Sequence, residues 1–295
     1  MKHRFVAGLF SLVMLLGITA CGNTAGNEST KKKKVKDESE VHLEKNSDEL
    51  KYGVFLSVED DLQQFSDYNI IVIDAQYFSK EEIEAFQDES HVVYSYINVG
   101  SIEDFRPYYD EYVDLTLGDY ENWEEEKWVD VSSEIWQDFI LEQLAPELLG
   151  KGIDGFFVDN CDVYYNYETD AILEGLAVIM KGLIGTGKDV IINGGDAFLD
   201  AYTENLGKWS DVITGINQET VLTRIDFESG FLGARDEDDE DMAYFQDYVE
   251  RYAKEGAKIF LLEYSQDPSI EKKIKEYCSE HGFYYYLSDT LELGA

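Results

Sequence analysis

Seven short apolar runs in this chain end in carboxylates, amides or hydroxyls. Asp74 stands behind Ile70–Ile73, Asn98 behind Val92–Ile97, and Asp159-Asn160 behind Phe156–Val158. Asn193 follows Val190–Ile192, Asn217-Gln218-Glu219 follow Val212–Ile216, Glu263 follows Ile259–Leu262, and Ser288-Asp289 follow Phe283–Leu287. A carboxylate set against an apolar run costs desolvation free energy unless it is bonded or solvated, so packing alone does not ask for this repetition. Asp162 and Asp196, three residues past Asp159 and Asn193, add acids to the same places.

The residue types restrict the chemistry. Of the four histidines, His3, His42, His91 and His281, none stands behind an apolar run. That argues against Ser-His-Asp hydrolysis, histidine-rich zinc sites and histidine acid–base catalysis. Cys161 has no histidine in pattern and reads as an inert buried thiol. The acidic run 236–241 lacks the alternating ligands and the glycine of a calcium loop, and reads as the solvated start of a helix. No metal and no cofactor are expected. What remains is chemistry by two carboxylates, whose commonest cofactor-free use is glycoside hydrolysis: one acid protonates the leaving oxygen, the other serves as nucleophile or as base toward water. A silent glycan-binding site, or a lyase or transglycosylase using the same acids, stays open. Aromatic residues suit a sugar ligand. The third connection carries Phe105, Tyr108, Tyr109, Tyr112, Tyr120, Trp123 and Trp128, and the fourth Tyr164, Tyr165 and Tyr167; about half are expected in the core and the rest over a cleft.

Elements that would position these acids follow from periodicity. With Tyr52–Leu56 there are eight apolar runs, separated by amphipathic stretches such as Ser133–Leu149 and Ala171–Leu183 and by helix starts at Ser79 before Glu82 and at Asp267-Pro268. Strands alternating with helices predict a parallel sheet, and eight units in about 245 residues predict an α/β (β/α)8 TIM barrel. A doubly wound open sheet is the alternative, but no GxGxxG or phosphate loop follows any run. In such a barrel the site lies at the C-terminal strand ends, where the acids stand.

The rest of the chain concerns delivery. Lys2 and Arg4, the apolar stretch Phe5–Gly17 and small residues before Cys21 read as an export signal over 1–20. Ile18-Thr19-Ala20-Cys21 resembles a bacterial lipobox, which implies a lipid on Cys21 and a place on the extracellular side of the cell membrane. Residues 21–49, with Lys31–Lys34, have tether composition, and the folded domain is expected over 50–295. Three cysteines fit neither a disulfide framework nor a zinc site. The chain holds 24 Lys+Arg against 62 Asp+Glu, and 8 of the bases and 7 of the acids fall in residues 1–50, so the domain carries a formal charge of about −39. That field repels nucleic acid and would concentrate a cationic partner. A monomer is expected.

Four segments also carry a resemblance: "YSYINVGSIEDFRPYY" (94–109), "GIDGFFVDNCDVY" (152–164), "VIINGGD" (190–196) and "ITGINQET" (213–220). In order and content they resemble the strand-end motifs of glycoside hydrolase family 114, typified by endo-α-1,4-polygalactosaminidases, over essentially all of 50–290. The resemblance implies a (β/α)8 barrel, no metal, and hydrolysis of a galactosamine-containing polysaccharide, with Asp159 and Glu219 on the family's catalytic acids. Where many members read Asn-Glu, this chain reads Asn217-Gln218-Glu219. Asp74, Tyr96, Asn98, Arg106, Asn160, Asp162, Asn193, Asp196, Glu263, Tyr264 and Asp289 are expected to line the mouth and meet substrate, Arg106 by orienting a carboxylate. Glu263 is the rival for the acid's role.

Overall fold

The computed structural model describes residues 50–294 except 60 and 122. The proposed signal, tether and Cys21 lie outside the described residues. Eight parallel strands pair in chain order: β1 (Tyr52–Phe55), β2 (Ile70–Ile73), β3 (Val92–Asn98), β4 (Gly155–Asp159), β5 (Asp189–Asn193), β6 (Gly215–Glu219), β7 (Lys258–Tyr264) and β8 (Tyr284–Ser288). The last strand returns beside the first, making a nearly closed barrel, and Phe55 meets Tyr286 across that seam with ring centroids 5.3 Å apart. The fold is the expected (β/α)8 barrel.

Side chains of a strand alternate between faces, and the core divides accordingly. Tyr52, Val54, Ile70, Val72, Tyr94, Tyr96, Phe157, Ile191, Phe260, Leu262 and Tyr264 fill the barrel interior as one buried cluster. Their neighbours Ile71, Val93, Phe156, Val158, Val190, Ile192, Ile216 and Leu261 belong to a larger cluster shared with the helices. The interior is strongly aromatic, so it is packed solid below the mouth.

Local signals account for the outer layer. Helix Lys80–Gln87 begins with a capping box in which Ser79 and Glu82 satisfy each other's backbone N–H groups. The stretch 134–150 is helical throughout, with a π turn at Ile140–Leu144 just before Pro146, whose missing N–H cannot continue the regular ladder. The acidic run does lead into a helix, Glu240–Glu255: Asp239 accepts from the Asp241 and Met242 N–H groups, and Arg235 binds Asp239 and Asp241. β6 is shifted from its expected span. Val212 and Ile213 precede it, and Asn217, Gln218 and Glu219 lie within it, because polar partners await Asn217 and Glu219 inside the barrel.

Two insertions rise at the C-terminal end. A three-stranded antiparallel sheet (Ser101–Glu103, Glu126–Val129, Thr116–Asp119) follows β3, and a hairpin (Thr223–Asp226, Phe231–Ala234) follows β6. Tyr112, Tyr120, Trp123 and Trp128 are buried in the first insertion. These rings join the core shared with the helices, as Tyr112 packed edge-on to Trp136 shows. Exposed rings come instead from Tyr77, Tyr165, Phe227, Phe231 and Tyr244.

Candidate active site

Asp159, Asn193 and Glu219 are the last residues of β4, β5 and β6. The two-residue period aims them inward: Asp159 shares a face with Phe157, Asn193 with Ile191, and Glu219 with Asn217, which pairs in register with Asn193. The extra residue in Asn217-Gln218-Glu219 is thus accommodated by parity, since Gln218 faces the other way and its amide donates to the Glu219 carbonyl.

One nitrogen ties the acids together. Asn193 Nδ2 donates to Asp159 Oδ1 at 2.9 Å and to Glu219 Oε1 at 2.8 Å, so these two oxygens are at most about 5.7 Å apart. Asp159 Oδ1 also accepts the Asn160 N–H at 3.0 Å, and the Tyr96 hydroxyl bonds the same carboxylate. Glu219 Oε2 accepts from the Tyr264 hydroxyl at 2.9 Å. Burial raises the Asp159 carboxyl to about 6 against the pull of its bonds to Asn193, Asn160 and Tyr96. Burial, with Asp159 nearby, raises Glu219 to about 7 against Asn193 and Tyr264.

The backbone turns sharply after each acid. Asn160 has φ +65° and Thr220 φ +55°, left-handed values that are uncommon for any residue but glycine and costly for a β-branched one. Asn160 is held there by its Nδ2, which donates to Ser101 Oγ at 2.9 Å, and by the Tyr120 hydroxyl, which donates to its Oδ1 at 3.2 Å. Its carbonyl lies where a side chain at Gly100 would start, 1.8 Å from an added Cβ, so only glycine fits. Thr220 is held by its N–H to Leu262 O and by Arg235 Nε to its carbonyl.

Other expected site residues have different surroundings. Asn98 spends its amide on Ser101, donating to Oγ at 2.7 Å and accepting the N–H at 2.9 Å. Asp74 accepts from Arg106 Nη1 at 2.6 Å and from the Gln76 N–H, and burial raises its carboxyl despite the guanidinium. Arg106 is buried between Asp74 and Glu103, whose Oε1 accepts from Nη2 at 2.9 Å, and Tyr96 donates to that oxygen at 3.3 Å. The Asp162 carboxyl goes well up through burial and the charges of Asp196 and Asp159, and the Asp196 carboxyl is raised by burial while it accepts from the Tyr244 hydroxyl. Asp289 is exposed just past β8.

Glu263, expected to touch substrate, does not face the mouth. It lies between inward Leu262 and inward Tyr264, is fully buried, and accepts the Leu222 and Thr223 N–H groups at 2.9 Å and the Thr223 hydroxyl at 2.5 Å. It fastens the hairpin after β6 to the barrel.

Sequence reasoning missed Glu103 and Glu126. They are partners in the inserted ladder, both are buried, and burial with the charges of Glu103 and Asp159 pushes the Glu126 carboxyl well above its usual range. Neither stands at a barrel strand's end, so no spacing marked them. Among the described residues no group of three His, Cys, Asp or Glu is arranged to hold a metal ion.

The fold and its acid-bearing mouth define a class, the TIM-barrel glycosidases. Residues 30–293 match the model of the glycoside-hydrolase family GH114, and the chain belongs to that family. Its barrel is similar to the glycoside hydrolase domain of PelA from Pseudomonas aeruginosa (16% identity, 83% of this chain and 96% of that one, TM-score 0.68). It is also similar to Aspergillus fumigatus Ega3 in complex with galactosamine (18% identity, 83% and 93%, TM-score 0.62) and to an α-galactosidase from Thermus thermophilus (12% identity, 83% and 59%, TM-score 0.54). A search of curated proteins found no match.

Proposed function

We propose that this glycosidase cleaves a galactosamine-containing, partly cationic polysaccharide at the outer face of a bacterial membrane, with Asp159 as nucleophile and Glu219 as general acid/base. The observation that carries the reading is the single amide hydrogen-bonded to both acids, which keeps their oxygens within about 5.7 Å. Retaining glycosidases hold their carboxyls about 5–5.5 Å apart, whereas inverting ones need about 6.5–9.5 Å to admit a water. The nearest oxygens thus favour the retaining spacing, and retention of configuration is part of the proposal.

In the first step the Asp159 carboxylate attacks the anomeric carbon, the glycosidic C–O bond breaks, and the Glu219 proton goes to the leaving oxygen. In the second, Glu219, now ionised, takes a proton from water as that water attacks the same carbon; the ester to Asp159 breaks and both groups are restored. The order of the two carboxyls, Asp159 raised to about 6 and Glu219 to about 7, suits these roles, since the acid must keep its proton where the nucleophile has lost its own. Substrate class is supported by two independent facts: Ega3 was solved with galactosamine, and the chain's formal charge of −38 would concentrate an ammonium-bearing polymer.

Incubating the domain with galactosamine oligomers and analysing the products by mass spectrometry tests the reading. New reducing ends are expected, with the anomer first formed, read by 1H NMR before mutarotation, of retained configuration; an unsaturated end would mean a lyase, and unchanged oligomer a silent binding barrel. The anchor has its own test. Cys21→Ser should move the protein from the membrane fraction to the medium, and unchanged membrane retention would remove the lipid from the proposal.

A further inference from the structure

We infer that Tyr52 and Asn217 are positioning residues for the carboxylate pair, holding the Asn193 amide in the one orientation that turns its NH2 toward both acids. The inference rests on the assignment of Asp159 and Glu219 as the reacting groups. A side-chain amide has a donor end and an acceptor end of nearly equal size, so shape does not choose between them. A half-turn of Asn193 would put Oδ1 where Nδ2 stands, 2.9 Å from Asp159 Oδ1 and 2.8 Å from Glu219 Oε1. Three acceptors would then face one another.

The bonds behind Asn193 prevent this. Its Oδ1 accepts from Asn217 Nδ2 at 2.7 Å, and Asn217 Oδ1 accepts from the Tyr52 hydroxyl at 3.1 Å. Each donor in this line fixes the next amide, ending on the two carboxylates. Tyr52, Asn193 and Asn217 are all buried, Asn217 completely, so bulk water cannot replace a lost partner. The line crosses the barrel interior from β1 to β6, then passes to β5 through the register pair Asn193 and Asn217. Tyr52 and Asn217 form no hydrogen bond to either acid among the described residues, so their hydrogen-bonded link to the pair runs through Asn193, although the Tyr52 hydroxyl also feels the Glu219 charge directly. Losing the fixed donor removes a bond that favours the charged form of both acids, so both should take up a proton at higher pH. The other titratable groups facing the pair are Tyr96, Glu103, Glu126, Cys161, Asp162, Glu263 and Tyr264, none of which either substitution alters, and Tyr52 itself, which faces Glu219 and is lost only in Tyr52→Phe.

Two variants test the relay, Tyr52→Phe, which deletes one oxygen, and Asn217→Ala. The Asp159 and Glu219 carboxyls are titrated in substrate-free protein by 13C NMR, identified by their disappearance in Asp159→Asn and Glu219→Gln, and kinetics are measured on galactosamine oligomers. Both midpoints should rise, more in Asn217→Ala. Turnover should fall about 30-fold in Asn217→Ala and about 5-fold in Tyr52→Phe with KM within about twofold, the pattern of a misplaced reacting group rather than lost binding. Unmoved midpoints in both variants would overturn the relay, even if turnover fell, since a merely structural role would weaken folding without shifting them. The titration decides the relay alone; the turnover of Asp159→Asn and Glu219→Gln decides the functional reading alone.

Discussion

The ends of β6 and β7 carry two glutamates that look alike by the usual markers and differ in what holds them. Glu219 and Glu263 lie on neighbouring strands, both are buried, and burial is the main cause that pushes each carboxyl up to about 7. Glu219 is held by two side chains, Asn193 and Tyr264, and keeps 7% of its surface at the mouth. Glu263 has none and is held by two backbone N–H groups and a hydroxyl. Side-chain donors can yield to a substrate; backbone donors of a ladder cannot without unmaking it. A raised carboxyl therefore marks a candidate acid, and its donors tell whether it is free to react.

The largest effect expected from this contrast is on turnover. Asp159→Asn and Glu219→Gln should each lower kcat by about 10³-fold or more while circular dichroism and melting stay near the parent's. Glu263→Gln should do the reverse. Its amide would turn a donor toward the Thr223 N–H or leave it unpaired, costing about 2–4 kcal/mol of stability, with turnover of the folded enzyme within a few-fold of the parent. A Glu263→Gln protein that melts normally but is inactive would exchange the two assignments.

The pH profile sharpens the contrast further. Asp159 must be ionised and Glu219 protonated, so kcat/KM should fall below about 6 and above about 7, a narrow bell whose limbs belong to the coupled pair. For stability the sign runs the other way. A carboxyl raised by folding binds its proton more tightly when folded, so its contribution is fully present at low pH and is lost as pH rises through the folded value near 7. Glu219→Gln should thus be about as stable as the parent at pH 5 and more stable than it at pH 8, read by thermal melts. The smallest effect is Tyr264→Phe. It removes a donor that lowers the Glu219 carboxyl, so the basic limb should move up by less than about one unit with a several-fold change in rate. A downward move would show that Tyr264 does not stabilise the charged form.

Much of this was legible beforehand. Eight apolar runs with intervening amphipathic stretches give the barrel, and Asp159, Asn193 and Glu219 were marked by standing at strand ends. The same period of two, applied to Phe260, Leu262 and Tyr264, would have turned Glu263 away from the interior. The aromatic third connection divides about as expected, with Tyr112, Tyr120, Trp123 and Trp128 buried and Phe105, Tyr108 and Tyr109 half-buried. The buried rings join the core shared with the helices, as Tyr112 edge-on to Trp136 at 5.7 Å and Tyr120 stacked on Trp128 at 4.3 Å illustrate.

Sequence by itself determined the period, the order of strands and the chemical types available, because alternation and capping are local and depend only on neighbours along the chain. Tertiary structure alone decided which partners those groups found. Arg106 meets Asp74 from 32 residues away, Tyr52 meets Asn217 from 165, and one nitrogen of Asn193 lies between acids from strands on either side of it. Those distances are set by closure of the barrel, which brings strand ends to one mouth irrespective of their separation in the chain, and a hydrogen bond depends on tenths of an ångström that no local pattern encodes.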